Sequence, residues 1–217
     1  VVPDGRSVIS SLLRPAIDPI LNRIGKTIAR AGITANHITF AGAIAGITAG
    51  VVIALGHYLP GLALILLSRL LDGLDGAVAR ATRSTDFGGY LDIVCDYIFY
   101  LAVPLGFAFA NAPNLPYALI LTASFTLTAV SFLAFAAIAG KRGLTTEAHG
   151  PKSFFYNTGL AEGFETILAF VLMCLLPDQF SIIASVFAGL CVATVLQRSV
   201  IAARLFADAP AANHETP

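Results

Sequence analysis

"LDGLDGAVARATRSTDFGGYLDIVCDYIFY" (residues 71–100) decides how this chain folds. Four of its aspartates form two close pairs, Asp72 with Asp75 and Asp92 with Asp96, and Asp86 lies between the pairs. The flanks are almost wholly apolar: "GLALILLSRL" (61–70) before and "LAVPLGFAFA" (101–110) after. A carboxylate in such surroundings is costly unless it is paired or holds a metal. Ionisable groups kept inside a membrane span are as a rule functional.

The rest of the chain sets those surroundings. Of 217 residues, 57% are hydrophobic and 12% are charged, and the mean hydropathy is +0.81. A soluble domain carries about twice that charge fraction, ~25%, so the composition is that of a membrane protein. Net charge is zero, which implies no nucleic-acid partner. Cys95, Cys174 and Cys191 lie in apolar runs without CxxC spacing and read as packing residues in a reducing setting. His37, His57, His149 and His214 are scattered and read as surface or interface residues. No cleavable signal peptide is expected, because the first long apolar run follows about 37 mostly amphipathic residues.

About 20 apolar residues in a helix cross a bilayer. Six such segments are predicted, at 38–56, 60–81, 87–110, 115–140, 159–177 and 179–205. The expected fold is all-α, a six-transmembrane-helix bundle. Every Lys and Arg then falls on one side or in the adjoining half of a span, whereas the opposite loops "LGHYLPG" (55–61), "NAPNLPY" (111–117) and "LLPDQFS" (175–181) have none. That asymmetry orients both termini, and the polar ends of the second and third segments, toward the cytoplasm. Residues 7–31 place Ile9, Leu12, Leu13, Ile17, Ile20, Leu21, Ile24 and Ile28 at helical spacing among Arg14, Arg23, Lys26 and Arg30. This reads as an amphipathic helix on the cytoplasmic membrane surface, interrupted by Pro15 and Pro19. The organisation is therefore a surface helix and leading loop (1–37), a six-helix catalytic domain (38–206) and a disordered tail (207–217).

Within the opening stretch, Asp72 and Asp75 are three apart on one helix, and Asp92 and Asp96 are four apart on the next, so each pair shares a face. Two antiparallel helices can aim all four at one point. Divalent cations or arginines would keep them ionised. Grouped hard oxygen donors suit Mg²⁺, Mn²⁺ or Ca²⁺. No His is near and Cys95 should point away from the face shared by Asp92 and Asp96, which disfavours zinc. The plainer alternative is an ion-pair network with Arg69, Arg80 and Arg83. Gly73 and Gly76 cost stability in a helix interior, so either helix packing or close approach of a phosphate needs them. Arg80, one turn beyond Gly76, suits bidentate phosphate binding.

Residues 72–96 read D-x2-D-G-x2-A-R-x7-G-x3-D-x3-D. This resembles the signature of the CDP-alcohol phosphotransferase family at Asp72, Asp75, Gly76, Ala79, Arg80, Gly88, Asp92 and Asp96; the spacer after Arg80 is seven residues, against eight in some members. "GITANHITFAG" (32–42) is similar to the "TPNxxT" approach to that family's first span, with Ala35 in place of the proline. The resemblance implies that Asp72, Asp75, Asp92 and Asp96 hold two divalent ions, Mg²⁺ or Mn²⁺. It implies that Asp96 is also the general base, and that Asp72, Asp75, Gly76, Ala79, Arg80 and Gly88 line the pocket for the CDP donor. The reaction would pass a substituted phosphate from a CDP-linked donor, such as CDP-diacylglycerol, to a small alcohol or lipid acceptor, with release of CMP. A homodimer is also implied. Metals can clamp the charge growing on the leaving CMP, and a carboxylate can take the hydroxyl proton.

"KSFFYNTGLAEGFETI" (152–167) precedes and enters the fifth segment. Glu162 and Glu165 either lie at a helix start, stabilised by its dipole, or line an acceptor pocket with Lys152, Asn157, Arg198 or Arg204 nearby. The stretch resembles the family's "G-x-x-E-R-x-E-R", but Gly163 and Thr166 stand where members that use phosphorylated acceptors have arginines. Two other readings compete with a transferase. In one, the aspartates form the ion site of a cation channel or carrier; in the other, the chain is a non-catalytic scaffold.

Overall fold

The computed structural model describes residues 8–142 and 163–207. Among the described residues it is all-helical: α1 (Val8–Arg30), α2 (Ala35–Ala54), α3 (Tyr58–Ala81), α4 (Asp86–Ala110), α5 (Leu115–Lys141), α6 (Gly163–Leu175) and α7 (Phe180–Phe206). Each of the six apolar segments falls on one of α2–α7. Four stretches are long and apolar enough to cross a membrane: Ala35–Ala54, Asp86–Ala110, Ala112–Lys141 and Pro177–Phe206. The helix α3 stands apart because Arg69, Asp72, Asp75 and Arg80 interrupt its apolar run. The described part of α6 is 13 residues long.

The expected interruption of the first helix does not occur: α1 runs unbroken through Pro15 and Pro19. A proline removes one backbone hydrogen bond, and packing of the rest of the helix compensates. Leu21, Ile28 and Ala29 pack against Ile38, Leu74 and Val78. A Cβ on Gly25 would lie 2.8 Å from that of Ala77, and one on Gly73 would lie 3.1 Å from Leu21 Cδ1. The glycine at 73 is therefore a helix-packing residue.

Small residues bring α2, α3 and α4 together. Gly42, Gly46 and Gly50 recur every four residues on the buried side of α2. A Cβ at Gly42 would lie 3.4 Å from Leu71 Cβ, one at Gly46 would lie 2.9 Å from Phe99 Cδ2, and one at Gly50 would lie 2.5 Å from the Ala102 carbonyl oxygen. Between helices in lipid such close approach replaces the hydrophobic drive that water supplies elsewhere. The connections are short. Gly32 (φ +81°) and Gly56 (φ +82°) sit in the left-handed region just after α1 and α2, where glycine is the unstrained choice.

Thr82–Thr85 reverse the chain between α3 and α4. Thr85 caps α4, its Oγ1 accepting the Gly88 N–H at 3.0 Å, and Asp86 adds a favourable charge in the first turn. This short reversal lays the first turns of α4 beside the last turns of α3. The core lies beyond them, where Phe99, Phe107, Phe170 and Phe180 are fully buried. The Phe99 and Phe170 rings meet edge to face at 5.6 Å, and the Phe107 and Phe180 rings stack at 4.7 Å. In the second half, α7 packs along α5. Arg142 ties their ends by donating to the Phe206 carbonyl at 2.8 Å.

Candidate metal centre and active site

The reversal between α3 and α4 sets the carboxylates face to face. One oxygen from each of Asp72, Asp75 and Asp92 lies within 4.8 Å of the other two. Like charges at that spacing repel by about 3 kcal/mol per pair at an effective dielectric of about 20. Asp75 is buried (6% exposed), and its Oδ2 accepts the Thr39 hydroxyl at 2.6 Å. A neutral hydroxyl orients the carboxylate but cannot cancel its charge.

Asp96 stands apart from this trio. Its Oδ1 accepts from Arg69 at 2.7 Å, and the same Arg69 nitrogen is 3.7 Å from Asp72. Among the described residues Arg69 alone forms ion pairs with the aspartates, so the network imagined with Arg80 and Arg83 reduces to one guanidinium. One positive charge against four negative ones leaves a strong excess. The trio offers only hard oxygen donors at a spacing that one small ion can bridge. The residues present thus fit a divalent cation such as Mg²⁺ or Mn²⁺. Cys95 is buried with Ala43 and Leu91, and offers that ion nothing.

The residues assigned to the donor line the adjoining surface. Gly76 and Ala79 are half-buried on α3, and Arg80 is exposed. Its NH2 group donates to Asn22 Oδ1 of α1 at 3.1 Å, and a Cβ at Gly76 would lie 3.3 Å from Arg80 NH1. Side-chain bulk at 76 would displace that guanidinium. A Cβ at Gly88 would lie 3.3 Å from Asn36 Oδ1 and 3.1 Å from Thr85 Oγ1. Asn36 and Thr39, both in "TANHIT", therefore border the aspartate site from α2.

The second constellation is only partly described. Lys152 and Glu162 lie outside the described residues. Glu165 is in the first turn of α6, half-buried. Arg198, on α7, donates to the Thr128 carbonyl at 3.0 Å and to Ser131 Oγ at 2.7 Å, and its guanidinium lies over the Phe132 ring at 5.6 Å. Arg198 is thus bound to α5.

Sequence reading missed Thr39 and Asn22 as partners of the site and took Arg69 only as a possible counter-ion. The signal for Thr39 was present in the "TANHIT" resemblance. For Arg69 it was the three-residue spacing to Asp72, which puts the two on one helix face.

Comparisons with known proteins converge on one family. The family model described as CDP-alcohol phosphatidyltransferase matches residues 32–197. The inner membrane protein YnjF of Escherichia coli (strain K12) is 46% identical over 188 residues, covering 86% of this chain and 91% of that protein. An archaetidylinositol phosphate synthase of Pyrococcus horikoshii is 36% identical over 99 residues, covering 45% of this chain and 53% of that protein. In fold, the chain is similar to the crystal structure of Mycobacterium tuberculosis phosphatidylinositol phosphate synthase (PgsA1) with CDP-DAG bound. That match has a TM-score of 0.70 at 22% identity and covers 92% of this chain and 99% of the other.

Proposed function

The chain belongs to the CDP-alcohol phosphatidyltransferase family, and from that premise we propose how its own residues divide the work. It is a membrane transferase of phospholipid biosynthesis that moves a substituted phosphate from a CDP-linked donor to an alcohol and releases CMP. The observation that carries the reading is the convergence of Asp72, Asp75 and Asp92 within 4.8 Å, inside the stretch that the family model spans. The channel or carrier reading gives way to it.

Asp72, Asp75 and Asp92 would hold divalent metal, and Asp96 beside them would serve the acceptor hydroxyl. Mg²⁺ or Mn²⁺ there supplies charge neutralisation at the diphosphate and at the leaving CMP. Gly76 and Gly88 keep the pocket free of side-chain bulk. Arg80, held by Asn22, meets a donor phosphate. Asp96 accepts the proton of the acceptor hydroxyl, so that the oxygen attacks the phosphorus as the bond to CMP breaks. Among the described residues neither the trio nor its neighbours include a Ser–His or Cys–His pair, which favours direct transfer over a covalent intermediate.

The donor is a CDP-linked lipid, CDP-diacylglycerol being the first to test. Lys152, Glu162, Glu165 and Arg198 are proposed to line the acceptor side. Gly163 and Thr166, in place of arginines, favour an acceptor without a phosphate. A homodimer, as the family resemblance implies, is proposed. The deciding experiment is CMP release by purified protein in detergent, with Mn²⁺, CDP-diacylglycerol and a panel of alcohols that includes inositol phosphate. Absence of CMP with every CDP-alcohol offered would overturn the reading.

The six helices α2–α7 are proposed as six spans, with both termini and the aspartate site on the cytoplasmic side, which the distribution of Lys and Arg supports. On α1, exposed Ile20 and Ile24 adjoin a strip of exposed Arg23, Lys26 and Arg30. That pattern supports a helix in the headgroup layer. A cysteine placed at Asn114 is expected to label from the periplasmic or outer side only; labelling from the cytoplasmic side alone refutes the orientation.

The clamp role of Arg80 is checked by Arg80→Lys. The substitution keeps charge but loses the planar two-point contact with phosphate. The KM for the CDP donor is expected to rise by roughly 10-fold, in line with the loss of one charge-assisted hydrogen bond. An unchanged donor KM removes Arg80 from the pocket.

A further inference from the structure

We propose that Arg69 is a positioning residue for the transfer: its guanidinium holds one oxygen of Asp96 and so fixes which oxygen of that carboxylate meets the acceptor hydroxyl. The inference rests on Asp96 as the base. Arg69 lies outside the eight-position pattern that identifies the family, so no part of that resemblance assigns it a role.

The geometry restrains Arg69 on three sides. Its side chain is only 11% exposed. The guanidinium carbon lies 3.9 Å from the centroid of the Phe99 ring, and Phe99 is fully buried. NH2 donates to Ser68 Oγ at 3.2 Å. Ser68 is itself fully buried, and its hydroxyl donates to the Gly42 carbonyl at 2.9 Å. NH1 is left to donate to Asp96 Oδ1 at 2.7 Å.

This is not how a guanidinium simply neutralises a carboxylate. Such pairs favour two parallel hydrogen bonds, one to each oxygen. Here Arg69 gives Asp96 a single N–H and turns NH2 to a serine. Its Nε is buried with no hydrogen-bond partner among the described residues, a state that costs free energy. Asp96 Oδ2 consequently carries no hydrogen bond among the described residues. Asp96 is not one of the three carboxylates that lie within 4.8 Å of one another, and Arg69 NH1, 3.7 Å from Asp72, ties it to their edge. Asp96 Oδ2 is then free to accept the hydroxyl proton while Oδ1 stays bound, and no bond to Arg69 need break during transfer.

The test is a double-mutant cycle with CMP release, Mn²⁺ binding and CDP binding read on the same proteins. Arg69→Gln is expected to lower kcat by roughly 10²-fold, the scale of a misplacement of about 1 Å, with the donor KM and the Mn²⁺ dissociation constant within about 3-fold of the parent. Arg69→Lys keeps one N–H for Asp96 and is expected to recover most of that loss, to within roughly 5-fold of the parent. In an Asp96→Asn background neither substitution should change kcat by more than about 2-fold, because the group that Arg69 positions has already been silenced. Equal losses in both backgrounds overturn the proposal, as does an unchanged kcat or a loss of Mn²⁺ binding that parallels the loss of turnover. If Arg69→Gln fails to fold, Arg69→Lys carries the same cycle: its deficit must vanish in the Asp96→Asn background. Full turnover by Asp96→Asn alone overturns the base assignment and this inference with it. A normal Asp96→Asn deficit with additive Arg69 effects overturns only the role of Arg69.

Discussion

Asp96→Asn is expected to bind the CDP donor at near-normal affinity while its kcat falls by roughly 10²–10⁴-fold, the usual worth of a general base. The amide keeps the shape of the side chain and an oxygen for the Arg69 N–H that now reaches Asp96 at 2.7 Å. It has no basic oxygen to take the hydroxyl proton. The fold should survive, because the substitution leaves the cation above Phe99 with a partner. Calorimetry of CDP binding and CMP release on one preparation decide the matter. Loss of binding together with turnover would make Asp96 chiefly a metal ligand; retained turnover would move the base elsewhere.

Chelation is expected to have a larger effect still. Excess EDTA should abolish CMP release, and Mg²⁺ or Mn²⁺ should restore it. Three carboxylates within 4.8 Å of one another, one of them buried, form a site whose repulsion a cation must relieve. The same charge would otherwise repel a diphosphate. Asp75→Asn tests the site from the protein side. The amide can still accept from the Thr39 hydroxyl, so packing between α2 and α3 is kept while one negative ligand is lost. Turnover should drop by roughly 10³-fold or more, since metal polarisation is worth several kcal/mol of transition-state stabilisation. Mn²⁺ affinity, read by calorimetry, should fall with it. Full turnover in excess EDTA, or an Asp75→Asn protein with normal Mn²⁺ affinity, contradicts a catalytic metal at this place.

Much of this was legible in the chain because it depends on local periodicity. The six apolar runs fall on α2–α7, four of them in stretches long and apolar enough to cross a membrane, and the three- and four-residue spacings of the aspartates put each pair on one helix face. Asp72, Asp75 and Asp92 converge because only four residues, Thr82–Thr85, separate their helices. What stayed hidden is non-local. The bond from Thr39 to Asp75 joins residues 36 apart, and that from Asn22 to Arg80 joins residues 58 apart. No periodicity encodes either. The choice of Asp96 over Asp72 by Arg69 depends on the Phe99 ring beneath the guanidinium, another contact across two helices. Pro15 and Pro19 belong here too: their cost to the helix is local, whereas the packing of α1 on α3 is tertiary.

The glycines of α2 have a consequence for which changes the chain tolerates. In a water-soluble protein the large buried side chains are the ones that resist substitution. Here that order is partly reversed. Ile44 and Val51 of α2 are 64% and 55% exposed, and in a bilayer another apolar residue of almost any size would serve there, because lipid moulds itself to either. Gly46 and Gly50 have no such latitude: any side chain at these positions meets the Phe99 ring or the α4 backbone. Moving that backbone also moves Asp96, three residues before Phe99. The smallest residues of α2 thus hold Asp96, the proposed base, in register from a distance, and bulk is the change this helix is least able to absorb.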